Sequence, residues 1–234
     1  MSDRIGKEFV GTLEDDTIIY TMLDLEQYFG KPIDWVSGLT FEEIIEKKSF
    51  YPPNRRDRFC TTFLKIDPIF YWWHEKFNRE IVKMSIGYRQ GEHLRVKNMI
   101  DKLNRNGLDE YEATFEKNKR GQNKWEVVPW RKLLFPLAEN GIDKIDVANN
   151  WKGKPVRFAP LNNCIGCFHR KPSTLNRMSR IHPDKFDVFI SMEDGCKGTF
   201  KKNTTYQGIK DGSFTINAFD QLDDEGCGSG FCGF

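Results

Sequence analysis

The 234-residue chain carries 36 basic and 34 acidic residues for a net charge of +2, and 38% of it is hydrophobic, including six Trp, seven Tyr and 19 Phe. That length and apolar content can fill the core of one large domain, or of one domain with appendages. The near balance of charge argues against a generic polyanion binder, so nucleic acid is not indicated and any anion site is expected to be local. No apolar run approaches the roughly 20 residues of a membrane span, and the start MSDRIGKEF lacks the apolar core of a secretory signal, so a cytoplasmic protein without a membrane partner is expected.

Thr17 to Phe29 (TIIYTMLDLEQYF) places apolar residues at helical spacing and stops at Gly30, which predicts a helix with a glycine end. Pro32 to Val36 reads as a short strand, and Thr40 to Lys48 as a helix opened by a Thr cap with Glu43 three residues on. After a turn at Tyr51 to Asn54 comes the basic segment Arg55 to Lys65. The aromatic-rich Ile66 to Phe77 follows as a helix packed by Phe70, Trp73 and Phe77. Ile81 to Ile86 is a strand that runs out at Gly87, and chemistry often sits at such strand ends. Asp101 to Lys124 is highly charged with little periodicity and reads as either a mobile excursion or a long surface loop. Glu126 to Val128 is a further strand, and a helix is predicted from about Asp143 to Trp151. Beyond it, Ser173 to Ile181 and Phe186 to Glu193 read as helices. Strands alternating with helices predict an α/β layered domain with a mainly parallel sheet, whose ligands bind at the carboxyl ends of the strands.

Two clusters carry chemistry. Leu161 to Lys171 (LNNCIGCFHRK) holds Cys164 and Cys167 at the spacing with which two thiolates grip one metal ion or cluster edge. The remaining cysteines are Cys60, Cys196, Cys227 and Cys232; in a reducing compartment, ligands, redox thiols or buried hydrophobes are expected rather than a disulfide framework. The favoured ligand set is Cys164, Cys167, Cys227 and Cys232, with Cys60 and Cys196 as alternatives, holding zinc or a [4Fe–4S] cluster. Of the four histidines, His169 is the one placed to act as a ligand. The second cluster is basic: Arg55, Arg56, Arg58 and Lys65 surround Cys60, and Arg89 and Arg95 follow the strand that ends near Gly87. The planar fork of arginine suits phosphate or sulfate, and Glu92 is placed to orient Arg89 or Arg95.

The order RFCTTFLKIDPI, IGYRQGEHLR, FPLAENGIDKIDVANNW and PLNNCIGCFHRK resembles the phosphoadenosine phosphosulfate (PAPS) reductase family of the adenine nucleotide alpha-hydrolase superfamily, in particular its phage-encoded and sulfur-modification relatives. It covers most of the chain. The resemblance implies a Rossmann-like three-layer sandwich with a mainly parallel sheet. It places a nucleotide-binding domain at residues 1–160 and a cysteine-containing extension packed on it at residues 161–234. Arg58, Lys65, Arg89 and Arg95 would then face the phosphates or sulfate of an adenine nucleotide or sulfonucleotide on one pocket, and Gly6, Lys7 and Glu8 resemble the turn after the second family strand. Cys60 with Cys164 and Cys167 resembles the arrangement that helps hold a [4Fe–4S] centre in cluster-bearing members.

Departures accompany these matches. The family's Ser-Gly-Gly-Lys-Asp-Ser phosphate loop has no counterpart here, which implies a fold truncated at its N-terminus and a protein partner that supplies the loop. Phe59-Cys60 stands where cluster-bearing members have paired cysteines, and the Glu-Cys-Gly-Leu-His tail of thiol-dependent members is missing. The implied activity is sulfonucleotide reduction or ATP-dependent sulfur or adenylation chemistry in the cytoplasm of a bacterium or phage-infected host. The alternative is a catalytically inactive phage accessory or structural protein that reuses the fold for protein binding.

Overall fold

A computed structural model describes residues 2–5, 12–158 and 164–214. The expectations for Gly6, Lys7 and Glu8, for residues 161–163, and for Cys227 and Cys232 lie outside the described residues. The chain is a mixed α/β protein in two compact units, one formed by residues up to Pro68 together with those from Lys154 onward, the other by Ile69–Gly153.

In the first unit, Thr17–Phe29 is helical as its spacing predicts and ends at Gly30, whose φ of 61° is the left-handed conformation that glycine adopts without strain. Phe41–Lys47 is a helix opened by the expected capping box: Thr40 Oγ1 accepts from the Glu43 N–H, and the Glu43 carboxylate accepts from the Thr40 N–H. Pro32 to Val36 is not a strand. No described strand pairs with it, and its local bonds go elsewhere: the Ile33 N–H donates to Glu26 Oε1 at 2.9 Å, and Trp35 lies under the guanidinium of Arg4, itself ion-paired to Glu26.

The core of this unit is aromatic. Phe41, Phe186, Phe189, Phe200 and Tyr206 interlock with Ile165 and Leu175, each such burial stabilising by roughly 1.5–3 kcal/mol. The helices Pro172–Ile181, Pro183–Asp194 and Tyr206–Lys210 supply most of it. The buried Glu193 carboxylate ties the chain that follows to these helices by accepting from the N–H groups of Phe200 (2.9 Å) and Tyr206 (2.6 Å).

The second unit is built on a three-stranded sheet in the order β1-β3-β2, with β1 at Val82–Ser85, β2 at Asp109–Lys117 and β3 at Asn123–Leu134. β1 runs parallel to β3 and β2 antiparallel to it, so the described sheet is mixed. Within Asp101 to Lys124, the part from Asp109 is thus no loop but the first strand, the turn and the start of the second strand of a β-hairpin, while residues 101–108 form the turn before it. Tyr111, Ala113 and Phe115 alternate inward to meet Phe70 and Trp73 of the helix Asp67–Phe77 and Val128 and Trp130 of β3, while Glu110, Glu112 and Glu116 face solvent. The hairpin closes where Asn118 Oδ1 accepts from the N–H groups of Arg120 and Gln122 and Gly121 takes a φ of 76°. A third cluster, Ile86, Tyr88, Leu133 and Phe135, packs against the helix His93–Ile100. Asp143 caps the helix Lys144–Trp151.

Candidate functional site

The Cys164 to Lys171 turn belongs to the first unit and is held from several sides. The Ile165 N–H donates to the Leu13 carbonyl (2.8 Å), the Cys167 N–H to the Cys164 carbonyl (3.1 Å) and the Arg170 N–H to the Cys167 carbonyl (2.9 Å). Tyr206 Oη donates to the Gly166 carbonyl (2.6 Å), and Arg170 Nε to that of Cys164 (3.2 Å). A Cβ at Gly166 would sit 2.5 Å from the ring of Phe189, so the glycine lets the turn press directly onto the aromatic core.

Cys60 arrives from a distant part of the chain. It lies in the helical turn Phe59–Thr61 and is followed at once by a π-helical segment, Thr62–Ile66, that contains Lys65; such widened turns are rare and concentrate at functional sites. Electrostatics join it to the Cys164 turn. Burial pushes the Cys60 thiol up to about 11, with the charge of Cys167 adding to the shift while Arg58 and Lys65 oppose it. Burial pushes Cys164 up to about 12, with contributions from Glu14, Cys167 and Cys60 and opposition from Lys65. Three thiols therefore feel one another, among the cations Arg58 and Lys65. A third cation joins them: Arg170 is buried, and burial lowers its pKa against the opposing pull of Cys167, Cys164, Glu14 and Tyr206. Lys65 also reaches Glu14, at 3.7 Å.

Cys60, Cys164 and Cys167 influence one another electrostatically, whereas the Cys196 thiol is raised by burial and by Glu193. Among the described residues no group of three or more His, Cys, Asp or Glu is arranged to hold a metal ion. Thiolates are donors that select zinc and iron–sulfur clusters, and Arg58 and Lys65 act against the upward shift of the Cys60 thiol. His169 is buried and pushed down to about 4, first by that burial and then by Arg58, Arg55 and Lys201, so the imidazole is neutral at ordinary pH.

The other basic residues lie in the second unit. Glu92 is occupied on both sides: its carboxylate accepts from the Arg89 N–H and Nε, each at 3.0 Å, and pairs with Arg95. The Arg95 guanidinium is buried and stacks 4.3 Å from the centre of the Tyr88 ring. Arg89, by contrast, is partly exposed and acts on Asp143 at the cap of the helix Lys144–Trp151. Of the residues now seen around the thiols, Arg170 adjoins the cysteine motif in sequence. Glu14 and Tyr206 gave no signal, because only the fold brings them there. No protein-family model, curated protein or solved structure matches this chain.

Proposed function

We propose that this chain is a PAPS-reductase-like protein that binds an adenine nucleotide or sulfonucleotide and holds zinc or an iron–sulfur cluster on its cysteines, within a Rossmann-like three-layer arrangement. The observation that carries the reading is the mutual electrostatic influence of Cys60, Cys164 and Cys167, with Arg58, Lys65 and Arg170 acting on the same thiols. Three thiols under the influence of nearby cations suit a metal–thiolate centre beside an anionic substrate better than they suit a plain core. Cys164 and Cys167 would hold the metal with Cys60, and one of the tail pair Cys227 and Cys232 would close a four-ligand set. When bound, zinc would serve as a clasp, whereas a [4Fe–4S] centre would polarise the sulfur group of a sulfonucleotide.

The chain's own residues have defined tasks in this reading. Arg58 and Lys65 neutralise charge on the ligand and on the thiolates. Of Arg89 and Arg95, Arg89 has the partly exposed guanidinium, and Arg95 holds Glu92 in place. With thiols raised to about 11 and 12, neither Cys60 nor Cys164 is a nucleophile at neutral pH until a metal or an added charge favours the thiolate. Isothermal titration with adenosine 5′-phosphosulfate, AMP and ATP tests the reading. Binding that weakens in Arg58→Ala and Lys65→Ala is expected, and the absence of binding to any adenine nucleotide would overturn it.

The second reading, an inactive accessory or structural protein, draws on Arg95. Its burial against Glu92 and Tyr88 is that of a structural ion pair rather than of an anion hook. Retained folding with no nucleotide binding in the same titrations is its signature.

A further inference from the structure

The sheet of the second unit is covered on one face only among the described residues. Tyr111, Ala113, Val128 and Trp130 point to the face that packs on the helix Asp67–Phe77. The register gives the opposite face to Thr114 beside Trp125, Glu112 beside Val127 and Glu110 beside Pro129. The shift in register between Asp109 and Glu110 inserts one extra residue in β3 at Trp130. Arg131 and Leu133 therefore turn to the covered side and are buried, and Lys132 comes out on the side of Trp125, level with Lys83 of β1. Ile81, just before β1, shares the parity of Lys83. On this open face Trp125 is 58% exposed, Val127 61% and Ile81 46%; Glu110, Glu112, Pro129, Lys83 and Lys132 are exposed as well. Parallel strands such as β1 and β3 are ordinarily covered on both faces, and an exposed apolar stripe rimmed by charge marks an interaction surface.

We infer that this face is a self-complementary interface on which two copies of the chain pair, sheet on sheet, about a two-fold axis. The distribution of charge selects the occupant. Carboxylates line the β2 side, at Glu110 and Glu112, and ammonium groups the β1 side, at Lys83 and the adjoining Lys132; between them the central strand β3 carries the stripe of Trp125, Val127 and Pro129. A two-fold axis along β3 lays the stripe of one copy on that of the other and sets the acidic β2 of each over the basic β1 of the other, the match with itself that an isologous contact requires. Stacked sheets lie about 10 Å apart, a gap that side chains of this length fill from both sides. Lys83, Lys132 and Glu112 form no ion pair among the described residues. Lys83 and Lys132 stand side by side as like charges, which repel, and carboxylates from a second copy relieve that repulsion. Residues 215–234 fit the face less well, because their charged side chains, Asp220, Asp223, Asp224 and Glu225, are all acidic and would meet Glu110 and Glu112 with like charge. The inference is independent of the nucleotide reading.

Sedimentation velocity and light scattering of the full chain over a dilution series test the inference. The wild type should dimerise, and Trp125→Asp and Val127→Asp should each weaken the dimer at least tenfold, since a Trp at the centre of a contact carries a large share of its energy. Reversing the acidic side, Glu110→Lys with Glu112→Lys, should weaken it about tenfold, and so should reversing the basic side, Lys83→Glu with Lys132→Glu, because each sets like charges against one another across the interface. The chain with all four reversed should regain the wild-type dimer, a rescue that only a contact between the two sides produces. These side chains are exposed, so circular dichroism and melting of the variants should match wild type. Should Trp125→Asp fail to fold, the charge reversals still decide the matter. A monomer at every concentration overturns the inference and leaves the face to another protein or to a segment of this chain. A dimer indifferent to Trp125→Asp and Val127→Asp, or a chain with all four charges reversed that dimerises as weakly as either half, overturns it as well.

Discussion

At Gly166 a single hydrogen atom in place of a side chain lets the Cys164–Cys167 turn lie flat on Phe189. The Gly166→Ala variant brings a methyl group to 2.5 Å from that buried ring, and relief requires the turn or the core to shift, at a cost of about 1–3 kcal/mol. Chemical denaturation should register that loss, together with altered reactivity of the thiols on either side. Glu92 is the opposite case, a residue defined by its partners. Burial alone would raise its carboxyl, but the Arg89 N–H and side chain and the charges of Arg89 and Arg95 outweigh burial and hold it below its ordinary value. A carboxylate so depressed contributes stability above its unfolded pKa and loses it as pH falls through the folded one. The Glu92→Gln variant should therefore lose stability at neutral pH and show a flatter acid limb than wild type. The Glu92→Ala variant, which leaves Arg95 buried and unpaired, should cost about 3 kcal/mol in denaturant unfolding at neutral pH.

The elements that could be read from the sequence are those whose signals are local. Gly30 ends the first long helix, and Thr40 and Glu43 open the next, as their chemistry requires; the Thr40→Ala variant should cost about 1 kcal/mol, read by denaturant midpoint. The hairpin was less legible, although Tyr111, Ala113 and Phe115 alternate with Glu110, Glu112 and Glu116 at the strand period. The charged residues on its solvent face raise the mean polarity of the segment to that of a loop, and only the aromatic surface of the helix Asp67–Phe77 gives the inner face something to cover. Pro32 to Val36 fails in the other direction, being extended and apolar enough for a strand but without a described neighbour. The hairpin hinges on Trp130, buried between Phe70 and Trp73. The Trp130→Ala variant should lose roughly 3–5 kcal/mol, and with it the near-ultraviolet circular dichroism of the stacked indoles.

At the scale of the molecule, the candidate site depends on contacts that no window of sequence contains. The Cys164–Cys167 pair was visible from its spacing, but its association with Cys60, Glu14, Arg170 and Tyr206 arises only once the helices after Pro172 and the segment before Pro68 share one core. A metal on these thiols would tie those segments together across a long stretch of intervening chain, and because the unfolded chain has no such preformed site, binding free energy would become folding free energy. Anaerobically purified protein is therefore expected to carry about one zinc or four irons per chain, with a visible absorbance band in the iron case. Chelation of the metal should lower the melting temperature. The Cys164→Ser and Cys60→Ser variants should lose the metal and melt near the temperature of the chelated wild type, whereas Cys196→Ser, whose thiol answers to Glu193 rather than to the other cysteines, should keep it. Freshly purified protein with neither zinc nor iron, or a Cys60→Ser variant with full metal content and unchanged melting, would leave the three thiols as buried side chains of the core.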